Sequence, residues 1–136
     1  MHELEEQIDN LIYASHIILK YAKFNPDDPD VVIIRVDKPP VIIINTEFVT
    51  PYPMPARKTH EFSHVVYGNG EPMLYYFSMG FKNRSEIIAN KGMIYILAKF
   101  IYGDTPLEYR NYSDFMNEFH LPSWFEPVVK DIIKEI

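Results

Sequence analysis

Between Pro55 and the Gly68-Asn69-Gly70 turn, the chain carries His60-Glu61-Phe62-Ser63-His64 inside a stretch patterned as a helix. Proline suits the first helical turn and glycine ends a helix cleanly, so the boundaries agree with the pattern. Residues four apart on a helix stand one turn above each other, so both imidazoles face the same way. An H-E-x-x-H helix of this kind places two neutral imidazoles where one zinc ion can take them, and it leaves a carboxylate beside the metal as a general base. Phe62, Val65 and Val66 supply the opposite, buried face. The bland alternative is a pair of half-buried histidines beside a surface glutamate.

A catalytic zinc site takes three protein ligands and keeps a position open for water. The chain has no cysteine, so the third ligand must be His, Asp or Glu. Glu86, in Ser85-Glu86-Ile87-Ile88-Ala89-Asn90, opens the next long helix and is the best placed. Its rival role is a first-turn carboxylate serving the helix dipole. Small Ala89 would let the two helices approach, and Asn90, one turn beyond Glu86, could hydrogen-bond a ligand histidine. Glu61 would accept the proton of zinc-activated water. Tyr67, Tyr75, Tyr76 and His120 carry donors suited to a developing oxyanion, although packing or surface roles are commoner for each. Arg57 either lies over the cleft or, more commonly for such a residue, is solvated. His2 and His16 are expected to be unrelated to zinc.

The rest of the chain reads as small elements around that helix. Apolar positions from Leu4 to Ala22 follow a helical period, and Asn25-Pro26-Asp27-Asp28-Pro29-Asp30 ends the run as a turn cluster. Val31–Val36 and Val41–Ile44 read as antiparallel strands separated by Asp37-Lys38-Pro39-Pro40. Val41–Val49 is expected near a sheet edge, where it could hold an extended substrate by strand addition. Leu74–Met79 reads as extended, and Ser85–Tyr102 as a helix capped by Ser85 or Asn83. Two short helices complete the tail, one capped by Ser113 and one from Trp124 to Ile136, with Trp124 and Phe125 as core anchors.

H-E-F-S-H followed by E-I-I-A-N, with V-I-I-I-N-T upstream, resembles the ImmA/IrrE family of gluzincin-type zinc metallopeptidases. Phe62 and Ser63 stand where that family usually has Leu and Gly. The resemblance covers about residues 5–102. It implies zinc ligands at His60, His64 and Glu86 and a general base at Glu61. The fold it implies is α+β, a zincin-like single domain over residues 1–136. That domain has a small mixed or antiparallel sheet, an H-E-x-x-H helix, a ligand helix and a helical C-terminal cap over about 112–136. It further implies an intracellular endopeptidase with one Zn2+ per chain. Its protein substrate would be a partner such as a helix-turn-helix repressor, in phages or mobile elements. The competing expectation is a non-catalytic module of the same fold, zinc-bound or zinc-free, that sequesters a regulatory partner.

Charge narrows the partners. Thirteen Lys and Arg against nineteen Asp and Glu leave a net charge of −6, and no dense basic run offers the phosphate-neutralising surface that nucleic acid requires. No direct nucleic-acid contact is expected. Met1-His2-Glu3-Leu4-Glu5-Glu6 is acidic where a secretion signal is positive, and Leu11–Leu19 is too short to span a bilayer, so the expected location is cytoplasmic, away from membranes.

Overall fold

Leu4, Ile8, Leu11 and Ile12 recur at the helical spacing and form the inner stripe of α1 (His2–Ala14), which buries Ile8 and Ile12 completely. Each such burial is worth about 1.5–3 kcal/mol. This is seen in a computed structural model that describes residues 1–136. The helix expected to run on to Ala22 stops early. The Ser15 hydroxyl donates to the Leu11 carbonyl at 2.8 Å, and His16 turns into the left-handed region at φ 59°. Ile18–Ala22 then becomes β1, a five-residue ladder parallel to β3. The helical period continued through these residues, but pairing with a distant strand overrode it.

β2 (Val31–Arg35) and β3 (Lys38–Asn45) pair antiparallel, as the Val and Ile runs imply. The connection is tighter than expected: only Val36 and Asp37 turn, with Asp37 at φ 54°, and Pro39 and Pro40 belong to β3. Prolines are tolerated there because β1 begins to pair only at Val41, so no strand on that side needs their missing N–H. β4 (Met73–Tyr76) joins β2 antiparallel, giving a four-stranded mixed sheet in the order β1-β3-β2-β4. β3 is therefore interior, and the expectation of an edge at Val41–Val49 is overturned. The free edges belong to β1 and β4.

α2 (Met54–Val66) lies between the sheet and α3 (Arg84–Tyr102) and also touches α1. Asn83 caps α3, its side chain accepting from the Glu86 N–H at 2.9 Å. Gly92 and fully buried Ala89 both lie on the buried side of α3, and at Gly92 the two helices are close enough to leave no room for a side chain. A Cβ on Gly92 would stand 2.7 Å from Ser63 Oγ and 2.8 Å from Ser63 Cβ, and would also press on the Tyr67 ring. A small residue at position 63 and none at 92 bring the two helices together. Val66 is exposed, so the buried face of α2 is carried by Phe62, with Val65 packed partly against the core.

The helical C-terminal region follows as a 3-10 turn at Leu107–Tyr109, α4 (Tyr112–Glu118), a second 3-10 turn at Ser123–Phe125 and α5 (Glu126–Glu135). Asn111, not Ser113, caps α4 by accepting from the Asp114 N–H. Phe115, Phe119, Phe125, Val129 and Ile133 enter the same core as Ile8, Ile42 and Leu97, so one hydrophobic core serves the whole α+β domain. Phe125 anchors as expected, whereas Trp124 is 61% exposed and does not. No helix is long and apolar enough to cross a membrane.

Candidate metal centre

Along the middle of α2, polar residues are buried in an unbroken run from Arg57 to Glu61, and Ser63 and His64 follow after Phe62. The first of them are fully partnered. Arg57 makes a two-pronged contact with Asp30, Nε to Oδ2 and Nη2 to Oδ1, both at 2.7 Å, and also donates to the Asn45 carbonyl at 2.9 Å. Asn45 is itself tied down, its side-chain amide donating to the carbonyls of Asn25 and Asp28. Arg57 is thus neither solvated nor over the cleft. Lys58, wholly buried, donates to Asp9 at 2.7 Å, Glu5 at 2.9 Å and the Tyr21 hydroxyl at 2.6 Å. Burial works against its charge, but the hydrogen bonds it donates to Asp9, Tyr21 and Glu5 outweigh it and push the ammonium up to about 12. Thr59 and Ser63 return their hydroxyl protons to carbonyls one turn back.

His60, His64 and Glu86 behave differently. Their ligand atoms lie within 4.8 Å of one another. His60 Nε2 stands 3.6 Å from Glu86 Oε2, and His64 Nε2 stands 3.4 Å from Glu86 Oε1. Nitrogen and oxygen atoms about 2.0–2.1 Å from a tetrahedral ion are separated from each other by about 3.3–3.4 Å, so the His64–Glu86 spacing matches a ligand pair and the His60–Glu86 spacing is slightly longer. His60 Nε2, His64 Nε2, Glu86 Oε2 and both carboxylate oxygens of Glu61 are buried with no hydrogen-bond partner. Buried polar atoms are almost always paired, so three unpaired ligand atoms gathered in the triad, with an unpaired carboxylate beside them, fit a bound cation. Two imidazoles and a carboxylate form a donor set suited to zinc.

Asn90 explains which nitrogen of His60 is free. Its side-chain NH2 donates to the Gly80 carbonyl at 2.7 Å, which turns its oxygen toward His60 Nδ1 at 2.8 Å. That oxygen can only accept, so Nδ1 carries the proton and Nε2 keeps a lone pair aimed at the centre. Burial, reinforced by nearby His64 and opposed by the Asn90 hydrogen bond, pulls the His60 pKa down to about 3, keeping the ring neutral. Glu61 lies beside this group, Oε1 3.8 Å from His60 Nε2. Burial first, then the charges of Asp30 and Glu86, push its carboxyl well above the usual range. A cation at the centre would act in the opposite direction.

β4 and the segment after it wall the site. Tyr75 stacks on the His64 ring with centroids 4.1 Å apart, and Phe77 packs on His60 at 4.8 Å. A cleft of about 400 Å³ opens from His64, bordered by Tyr67, Asn69, Tyr75, Arg84 and Ile88. Among the expected oxyanion donors, Tyr67 and Tyr75 therefore border the cleft. Tyr76 is exposed, and His120 sits exposed at φ 55° in the turn between α4 and α5, outside the cleft. His2 and His16 lie outside the triad. Sequence reasoning missed Asp30, which read there as part of a turn cluster, and Asn45, which was given no role of its own. It also missed Lys58, whose one available signal was the Glu5 and Asp9 pair a turn apart on α1.

No family model matches this chain, and no curated protein or solved structure matches it. Function is therefore read from the site itself.

Proposed function

We propose that this chain is a zinc-dependent endopeptidase with a zincin-like single domain over residues 1–136, of the kind its motifs resemble in the ImmA/IrrE family. His60, His64 and Glu86 would hold one Zn2+. The observation that carries the reading is the convergence of three ligand side chains, unpaired on their inward faces, beside a glutamate whose two oxygens are also unpaired. When bound, zinc supplies Lewis acidity and makes water acidic enough to lose a proton near neutral pH. Glu61 accepts that proton and delivers it to the departing amine nitrogen. Both of its oxygens are unpaired in the site, so they are free to take and return a proton. Asn90 keeps His60 in the tautomer the ion requires.

The proposed substrate is a cytoplasmic protein partner, with a helix-turn-helix repressor as the class implied by the resemblance. An extended segment of it would lie along the free edge of β4, the edge strand beside the cleft, where main-chain hydrogen bonds hold a peptide without regard to sequence. Net charge −6 argues against nucleic acid as the ligand.

A second reading has one observation in its favour. His60 and Glu61 are fully buried, and only His64 of the motif borders the cleft, so a carbonyl reaches Glu61 only after the wall moves. That suits a module in which metal serves structure while the surface sequesters a partner. The two readings separate on Glu61→Gln, with metal content and cleavage of a co-expressed repressor partner both measured. The protease reading expects about one zinc per chain in parent and variant, with cleavage reduced about 100-fold or more in the variant. Cleavage undiminished by Glu61→Gln removes the general base. Partner binding with no cleavage by either protein favours sequestration.

A further inference from the structure

Each imidazole of the motif faces an aromatic ring from β4 or the residue just after it. Tyr75 lies nearly parallel to His64, with planes 9° apart, and Phe77 meets His60 at 57°. The correspondence is metric. Same-side residues on a strand are about 6.4–6.8 Å apart, and residues four apart on a helix rise about 6 Å. Alternate residues of the strand therefore fall opposite successive turns of α2.

The two imidazoles differ in what else restrains them. His60 is held at Nδ1 by Asn90, at 2.8 Å. His64 has no corresponding hydrogen bond, although its Nε2 must face Glu86 as the His60 nitrogen does. The outer torsion of a histidine side chain is broad, so a ring without a hydrogen bond needs a packing partner to choose its angle. A parallel face 4.1 Å away does this, because rotating the imidazole would drive its edge into the tyrosine ring. Tyr75 is itself restrained: it sits opposite Val32 in the β2–β4 ladder, and its side chain packs against the main core.

We infer that Tyr75 is a positioning residue for the metal centre: the face of its ring, not its hydroxyl, sets the His64 imidazole so that Nε2 points at the ion. The two halves of the H-E-x-x-H pair are oriented by different means, His60 by a hydrogen bond and His64 by a stack. This rests on the metal reading above and extends it to a residue outside both ligand helices.

The test uses the full chain and zinc or cobalt alone. Zinc affinity is measured by chelator competition for the parent, Tyr75→Phe and Tyr75→Leu, with thermal unfolding of each metal-free protein as the folding check. Tyr75→Phe should bind within about twofold of the parent, and Tyr75→Leu about tenfold more weakly or worse, as for other groups that orient a metal ligand. The visible spectrum of the cobalt-loaded protein should change in Tyr75→Leu and not in Tyr75→Phe. Parent affinity and spectrum in a folded Tyr75→Leu overturn the inference, as does a loss in Tyr75→Phe equal to that in Tyr75→Leu. A measurement on the metal-free parent needs no variant: ring-current shifts on the His64 ring protons in NMR support the stack, and their absence overturns it. If the parent takes up neither zinc nor cobalt, the metal reading fails, and this inference with it.

Discussion

Arg57 and Lys58, in the second turn of α2, are buried about as deeply as His60, Glu61 and His64 further along the same helix, yet the two groups are opposites. Arg57 and Lys58 reach carboxylates on other elements, Asp30 before β2 and Glu5 and Asp9 on α1. Of the later group, His60 Nε2, His64 Nε2 and both Glu61 oxygens reach nothing. A satisfied buried ion pair fixes where elements sit. An unsatisfied cluster of good ligands, held rigidly by that frame, is the form of a binding site. The partnered half of α2 thus works as scaffold for the open half. Arg57 binds the strand end at Asp30 and Asn45, Lys58 binds α1, and the motif is presented against α3 and β4 at fixed distances.

Breaking the scaffold half should have the largest effect. Arg57→Ala leaves Asp30, 0% exposed, as a buried charge without its partner. Unfolding in urea should show a loss of about 3–5 kcal/mol. His64→Leu, which keeps most of the buried volume, should cost far less in metal-free protein, since the Nε2 it removes has no bond to lose. Equal losses from the two variants would erase the contrast between the halves.

Gly92→Ala tests how closely the open half depends on helix approach. The added carbon meets Ser63 and Tyr67, so α2 and α3 must separate or shift. Overpacking of this kind costs about 1–3 kcal/mol. Because Glu86 rides on α3 and the histidines on α2, zinc affinity should fall as well, read by chelator competition. Unchanged affinity would mean that the triad does not depend on this contact.

The smallest effect sharpens the electrostatics of the open half. In metal-free protein, Glu61 has a pKa above its ordinary value of 4.5, so the folded state holds that proton more tightly than the unfolded chain. The stability it contributes is present below about 4.5 and is lost as pH rises from there toward its folded pKa. His60 runs the other way: with its pKa lowered from 6.5 to about 3, its contribution is complete above 6.5 and lost as pH falls toward 3. Glu61→Gln should therefore leave stability near pH 4 unchanged and raise it progressively above pH 4.5 in chelator-treated samples. A difference between variant and parent that stays constant across this range would show that Glu61 is not desolvated.

Much of the site was legible because it is local. His60, Glu61 and His64 share a helix whose ends are marked by Pro55 and Gly68, and Glu86 and Asn90 are a turn apart on a second helix capped by Asn83. The β2–β3 hairpin was legible from its Val and Ile runs. The C-terminal half of the first helical stripe was not, because Ile18–Ala22 satisfies a helical period and a strand equally and only β3 decided between them. Nor could Arg57, near the start of α2, be told from a solvated cation without knowing that Asp30 folds against it. Trp124 and Phe125 are adjacent and equally apolar, and only the packing of α5 decided which one turns inward.

By itself, then, the sequence determined which side chains share a face, because helical and strand periods are properties of neighbouring residues and their covalent geometry. Tertiary structure alone decided which of those side chains meet a partner. It brought Asp30 to Arg57, Asp9 to Lys58 and Tyr75 to His64, and it left four inward-facing groups of the triad and Glu61 with none. Partnering depends on where segments far apart in the chain come to rest, and no local period carries that information.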